Sequence, residues 1–332
     1  MAAASRRETR QMRFVIVGAG AVGGAIGGRL HQHGYEVVLV ARGAHYEALS
    51  AHGLRIESAA GSTTLAIPTV SRPTDLTFDD GDVVVLAVKS QDTAAVLDDL
   101  VAVVPPALPI VCAQNGVENE RVVLRSFPNV YGMCVMCPVS HLTPGVVQAH
   151  SVPITGLLDL GRWPQGSDEI AESIAAALAA STFDAVARAD IPRWKWGKLL
   201  LNLGNAVEAL CGRAAHGGEL ARRARQEAVA CLDAAGIGYV GREEEAERRG
   251  TLLQVQSSPE VSRAGGSTWQ SLARSSGRVE TDYLNGEIVL LGRLCGVPTP
   301  VNTLLQALTN RQARERGAPA AYTEADLLDL LA

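Results

Sequence analysis

Aromatic side chains are scarce, at 4% of 332 residues, so aliphatic side chains must fill most of any core. Basic charge is not in excess: 30 lysines and arginines face 35 aspartates and glutamates, a formal net charge of −5. That balance excludes a dominant nucleic-acid surface, because phosphate binding needs a concentrated basic face, although it leaves room for a local anion pocket. No stretch approaches the roughly 20 uninterrupted apolar residues of a membrane span. The first eleven residues, MAAASRRETRQ, lack the apolar centre of a secretory signal. Residues 1–12 are therefore expected to form a disordered tail on a cytoplasmic chain, with neither membrane nor nucleic acid as a partner. Cysteine pairs are also missing. Cys134 and Cys137 form a C-x-x-C, but inside the strand-like run MCVMCPV, where odd spacing points them to opposite faces. With no second pair and no nearby histidine pair, no metal site is expected, and all six cysteines read as buried thiols.

What is present is ordinary for a folded protein: 47% hydrophobic and 20% charged residues, over about twice the length of a typical domain. The aliphatic run RFVIV (13–17) is followed at once by GAGAVGG, then by a helix-like segment closed by Gly34, then by EVVLV (36–40). Strand, glycine turn, helix and strand make one βαβ unit. Further apolar strands follow at 82–88, 109–113 and 130–136, with a helix-like stretch between the first two. Continuous apolar strands alternating with helices predict a parallel sheet covered on both faces. Residues 145–161 read as short antiparallel strands and 168–180 as a helix. From IPRWKWGKLL to the end nearly everything reads as helix, with breaks near Gly212, Gly236–Gly238, Gly265–Gly266 and Pro298–Pro300. The expected fold is α/β: a Rossmann-type dinucleotide-binding domain over 13–190, followed by an all-α domain over 191–332. No long linker separates them, so they should pack closely.

Gly18-Ala19-Gly20-Ala21-Val22-Gly23 fits G-x-G-x-x-G in its proper context, after a strand and before a helix. The first Gly permits the tight turn, the second lets backbone approach a pyrophosphate, and the third lets helix pack on strand. The second strand ends Val40-Ala41-Arg42-Gly43, without the acid that would hold unmodified ribose hydroxyls. Arg42 can instead pair with a 2′-phosphate, which favours NADP(H); His45 is either another phosphate neighbour or surface. At the carboxyl ends of later strands stand Lys89 and Gln114-Asn115-Gly116. In WKWGKLLLNL, Lys198 and Asn202 are spaced i, i+4 and share a helix face. A lysine in a partly desolvated cleft suits a proton donor. Lys195, three residues earlier, is the competitor, either functional or merely solvated. The charged residues of 277–286 could cap or face solvent.

These pieces together resemble the ketopantoate reductase family. The likeness runs from residue 13 to about 312 and is carried by IVGAGAVGG, VKSQD (88–92), QNGVEN (114–119), KWGKLLLN (195–202) and GRVETDYLNGEIVLLGRLCGVPTPVN (277–302). The resemblance implies a two-domain NADPH-dependent reductase acting on a small 2-oxo acid in the interdomain cleft. It implies Lys198 as the proton donor, Glu280 working beside it, Asn115 near the nicotinamide and substrate, Lys89 as the strand-end lysine, and Asn202 on the substrate. Two positions depart from the family pattern. Gly265 replaces an asparagine ahead of the hydroxyl pair Ser267-Thr268, of which Thr268 is expected to bind substrate. Ala206 replaces a second asparagine, with Asn205 one residue early. The implied reaction is reduction of 2-dehydropantoate to (R)-pantoate, on the route to pantothenate and coenzyme A. The alternatives are reduction of another 2-oxo acid or an imine, or NADPH sensing without turnover. The apolar C-terminal helices could form a homodimer surface or simply core.

Overall fold

The computed structural model describes residues 12–256 and 265–331. Of the expected tail only Met12 falls within them; the rest lies outside the described residues. The first part of the chain runs β1 (Arg13–Val17), α1 (Ala21–Gln32), β2 (Glu36–Val40), α2 (Gly43–His52), β3 (Leu54–Ser58), β4 (Gly61–Leu65), β5 (Thr69–Val70), β6 (Asp82–Leu86), α3 (Thr93–Val103), β7 (Ile110–Cys112), α4 (Asn119–Leu124), β8 (Val130–Met136), β9 (Val139–Ser140), β10 (Val146–Ala149), β11 (Ser151–Pro153), β12 (Gly156–Arg162), α5 (Glu169–Ala179) and β13 (Phe183–Asp184).

Eight of these strands form one sheet in the order β13-β12-β8-β7-β6-β1-β2-β5. Pairing is parallel from β5 through β8, and β12 then runs antiparallel to β8. The apolar runs are continuous because both faces are covered. Phe14 and Ile16 of β1 enter the core beneath α1, while Val15 and Val17 enter the core on the α3 side. A second sheet, β4-β3-β10-β9, packs over α1. A Cβ built at Gly28 of α1 would lie 2.4 Å from Ile56 Cδ1, so the helix meets this sheet closely. Neither α2 nor the β3–β4 hairpin was expected from the sequence. In 145–161 the expected antiparallel pairing holds throughout only for β11, whereas β10 pairs parallel with β3 and antiparallel with β9, and β12 pairs antiparallel with β8 and parallel with β13.

The second part comprises α6 (Ile191–Asn202), α7 (Gly204–Cys211), α8 (Glu219–Ala235), α9 (Arg242–Arg249), β14 (Leu253–Val255), α10 (Ser267–Ala273), α11 (Asn285–Cys295), α12 (Pro300–Arg314) and α13 (Glu324–Asp329). Its core is aliphatic and helical in period: Leu220, Ala224, Ala228 and Cys231 form the buried stripe of α8. Among the described residues one strand interrupts the helices: β14 pairs antiparallel with β11 across the seam. Arg248 of α9 adds a polar stitch, donating from Nε to Asp159 at 2.9 Å and from Nη2 to Asp184.

The glycine turn depends on close packing. A Cβ at Gly23 would lie 2.1 Å from the Gly18 carbonyl oxygen and 3.0 Å from Ala87 Cβ. Gly23→Ala is therefore expected to destabilise the protein by about 1–3 kcal/mol. A lowered urea midpoint checks this; an unchanged midpoint contradicts the packing.

Candidate functional site

The turn after β1 opens a cavity of ≈ 1050 Å³ that runs along the carboxyl ends of the sheet strands to α6 and α10. Its size suits a dinucleotide with a small molecule beside it. Gly18 takes φ +100°, and a Cβ there would lie 2.7 Å from Val88 N. Gly20 is the N-cap of α1 and brings no side chain to it. A Cβ at Gly20 would meet nothing within 4 Å, and Gly20 lines the cavity with Gly18, Ala19, Ala21 and Val22. The open helix N-terminus, with its partial positive charge, is therefore bare toward the cavity, which fits a pyrophosphate. Gly23 does its work behind the turn, against β1.

Two histidines flank this end. His45 is neither a surface residue nor placed by its nitrogens toward the cavity, although its ring contributes to the lining. Its Nε2 bonds the Ala19 carbonyl at 2.7 Å and its Nδ1 accepts the Gly145 N–H at 2.9 Å, which fixes the Nε2–H tautomer. Burial lowers its pKa, so the ring is a neutral strut under the turn. His141, which sequence reasoning missed, lies beside it with ring centroids 4.2 Å apart and planes tilted by 50°, and burial pushes its pKa down to about 4.

The other end is built by the second half of the chain. Lys198 and Asn202 share one face of α6 as their spacing requires, and Lys198 Nζ donates to Asn202 Oδ1 at 2.7 Å. Asn202 is 3% exposed, and its Nδ2 is buried without a hydrogen-bond partner among the described residues. Asn115 and Asn205 line the same region, whereas Ala206 is buried in the helical core. From α10 the lining residues are Ser267 and Gln270; Thr268 is buried outside that lining, so the hydroxyl that reaches the cavity is its neighbour's. Gly265 has a packing reason: a Cβ there would lie 2.6 Å from the ring of Trp269.

Glu280 is buried, not solvated. Lys89 donates to its Oε2, while the Ser90 N–H and hydroxyl donate to Oε1 at 3.1 and 3.2 Å. Ser90 Oγ in turn accepts from Asn119 at 3.0 Å, and Asn119 accepts from Thr93 at 2.7 Å. Lys195 is not the solvated competitor of Lys198. Its side chain is 2% exposed, donating to Glu120 and, at 3.0 Å, to the Gln114 carbonyl. It thus holds the Gln114–Asn115 turn from below. Arg42 lines the rim of the cavity beyond the end of β2, largely exposed.

Glu287, at the start of α11, faces Glu118 and Arg121 of the other half. Burial first, and then Glu118, pushes its carboxyl up to about 7. A carboxyl raised in the folded state contributes stability that is full below its ordinary pKa and lost as pH rises through about 7. Glu287→Gln should therefore gain about 1–3 kcal/mol over wild type near pH 8 and nothing near pH 4. Urea unfolding at both pH values checks this; equal differences at the two would contradict it.

Residues 14–165 match the family model described as ketopantoate reductase PanE/ApbA, and residues 190–313 the one described as ketopantoate reductase PanE/ApbA C terminal. The chain is 28% identical over 305 residues to the 2-dehydropantoate 2-reductase of Pyrococcus horikoshii, covering 90% of this chain and 96% of that protein. A PanE/ApbA family ketopantoate reductase from Ralstonia eutropha superposes with TM-score 0.77 at 30% identity, covering 92% and 99% of the two chains. A D-mandelate dehydrogenase, solved with NADH and anilino(oxo)acetate, superposes with TM-score 0.77 at 23% identity, covering 92% of this chain and 99% of that one, and shares the fold.

Proposed function

The chain belongs to the ketopantoate reductase family and is an NAD(P)-dependent oxidoreductase of that family, and from that premise we propose that it reduces 2-dehydropantoate to (R)-pantoate with NADPH, Lys198 being the proton donor. The observation that carries the reading is the Lys198–Asn202 pair facing the cavity beside Asn115 and Asn205, at the end remote from Arg42. On this reading the product feeds pantothenate and coenzyme A synthesis.

The glycine turn and Arg42 would hold the dinucleotide, which when bound supplies a hydride to the carbonyl carbon of the substrate. Reduction turns the ketone oxygen toward an alkoxide, and the Lys198 ammonium stabilises that charge and delivers its proton there. Asn202 orients the ammonium through its Oδ1 and offers its buried Nδ2–H to the substrate. Asn115 and Asn205 supply further amides, and Ser267 and Gln270 supply polar contacts from α10. Glu280 takes up the Lys89 charge at the strand end and keeps the two halves in register.

A second reading keeps the chemistry and changes the 2-oxo acid. It is favoured by the loss of the side chain at Gly265, where Trp269 fills the space, and by Leu253 and Val255 in the lining. The D-mandelate dehydrogenase likeness is compatible with it at the level of fold. Following NADPH oxidation with 2-dehydropantoate against a panel of 2-oxo acids separates the two readings. A preference for 2-dehydropantoate is expected, and no turnover with it at millimolar concentration would overturn the first reading.

Lys198→Ala is expected to lower kcat by about a hundred- to ten-thousand-fold while changing the Kd for NADPH far less. Steady-state kinetics with a binding titration checks this; unchanged kcat would remove Lys198 as the acid.

A further inference from the structure

The adenosine-side rim carries more charge than Arg42 alone. β2 and β5 are parallel neighbours in the register Leu39↔Thr69 and Val40↔Val70, and the Ala41 N–H extends the ladder to the Val70 carbonyl at 3.1 Å. Arg42 and Arg72 each stand two residues beyond the paired valines. They therefore leave adjacent strands at the same height. Both line the cavity, and their side chains are 65% and 61% exposed.

The acidic groups of this rim are already matched. Asp99 of α3 accepts from Arg72 Nη2 at 2.7 Å, which engages one nitrogen of the guanidinium fork and leaves its other N–H groups available. Asp92 accepts from Arg278 at 2.8 Å and lies 3.9 Å from Arg42. Arg42, Arg72 and Arg278 thus face Asp75, Asp92 and Asp99, and the two guanidiniums that line the cavity still hold N–H groups uncommitted to a carboxylate. A ribose bearing only hydroxyls would be served by a carboxylate at the end of β2, where Arg42 stands instead. A phosphate monoester carries about −1.5 to −2 charges and three acceptor oxygens, more than one guanidinium satisfies.

We propose that Arg72 is a specificity-determining residue that, with Arg42, clamps a 2′-phosphate on the adenosine ribose, with Asp99 as its buttress. The inference rests on the NADP(H) reading given above and adds a second residue to it. Asp99 restrains the long side chain before the ligand arrives, so less rotamer freedom is lost on binding. The signal was faint in the sequence because β5 is two residues long and does not read as a strand, so the equivalence of positions 42 and 72 appears only in the register.

The test is calorimetric binding of 2′,5′-ADP and of 5′-AMP to the full chain, as wild type, Arg42→Ala and Arg72→Ala. These probes share the adenosine and differ by the 2′-phosphate. Wild type should prefer 2′,5′-ADP. Arg72→Ala should weaken 2′,5′-ADP about tenfold or more, as loss of a charge-assisted hydrogen bond does, and change 5′-AMP less than about twofold. Loss of 2′,5′-ADP binding in Arg42→Ala alone, with Arg72→Ala like wild type, overturns the assignment of Arg72 and leaves the NADP(H) reading standing. Equal weakening of both nucleotides by Arg72→Ala also overturns it, since that marks general damage to the site. Equal affinity of wild type for the two nucleotides overturns both the assignment and the NADP(H) reading.

Discussion

Burying the Lys195 ammonium against the Glu120 carboxylate ties α6 to the segment that follows β7. Both side chains are essentially inaccessible, so each charge has given up its water and depends on the other. Removing one partner of such a pair typically costs about 3–5 kcal/mol, because the remaining charge is left uncompensated, whereas the pair as a whole need not stabilise the fold at all. Its consequence is positional. Lys195 also bonds the Gln114 carbonyl, and the next residue, Asn115, lines the cavity. Lys198 follows Lys195 by three residues on the same helix, so the contact that fixes the turn after β7 also fixes the reach of Lys198.

A second tie joins the halves at the end of β6. Glu280 accepts from Lys89 and from Ser90, nearly two hundred residues away in sequence, and the chain of bonds continues through Asn119 and Thr93 to Gln114. The two ties converge on Gln114 from opposite sides. The first half supplies a bare helix N-terminus and a rim bearing two arginines; the second supplies an ammonium and amides. Lys195 and Lys89 meet carboxylates, while Lys198 donates to the neutral Asn202 amide beside the cavity.

The parallel sheet, the glycine turn and the helical second half were legible because each leaves a local pattern: continuous apolar runs, G-x-G-x-x-G, and helical periodicity. The pairing of Lys198 with Asn202 was legible for the same reason, being i, i+4 on one helix. What escaped depends on distant partners. In the β3–β4 hairpin the alternation is confined to Leu54 and Ile56 of β3, because β4 is polar and exposed, and β14 is a three-residue strand recruited by β11. Lys195 looks solvated or functional until Glu120 is brought beneath it, and His45 until Ala19 and Gly145 take its two nitrogens. Whether Ser267 or Thr268 meets the cavity turns on a single step along α10, which spacing alone does not settle.

The central claim is that the seam between the two halves sets the Lys198 ammonium against the reacting oxygen. A crystal structure of the protein with NADP(H) and a non-reacting 2-oxo acid analogue measures it directly. Lys198 Nζ is expected at about 3 Å from the oxygen that stands for the keto group, within hydrogen-bond reach, with Lys195 still on Glu120. Lys198 beyond that reach, or Lys195 released from Glu120 and bonded to the ligand in its place, would contradict it.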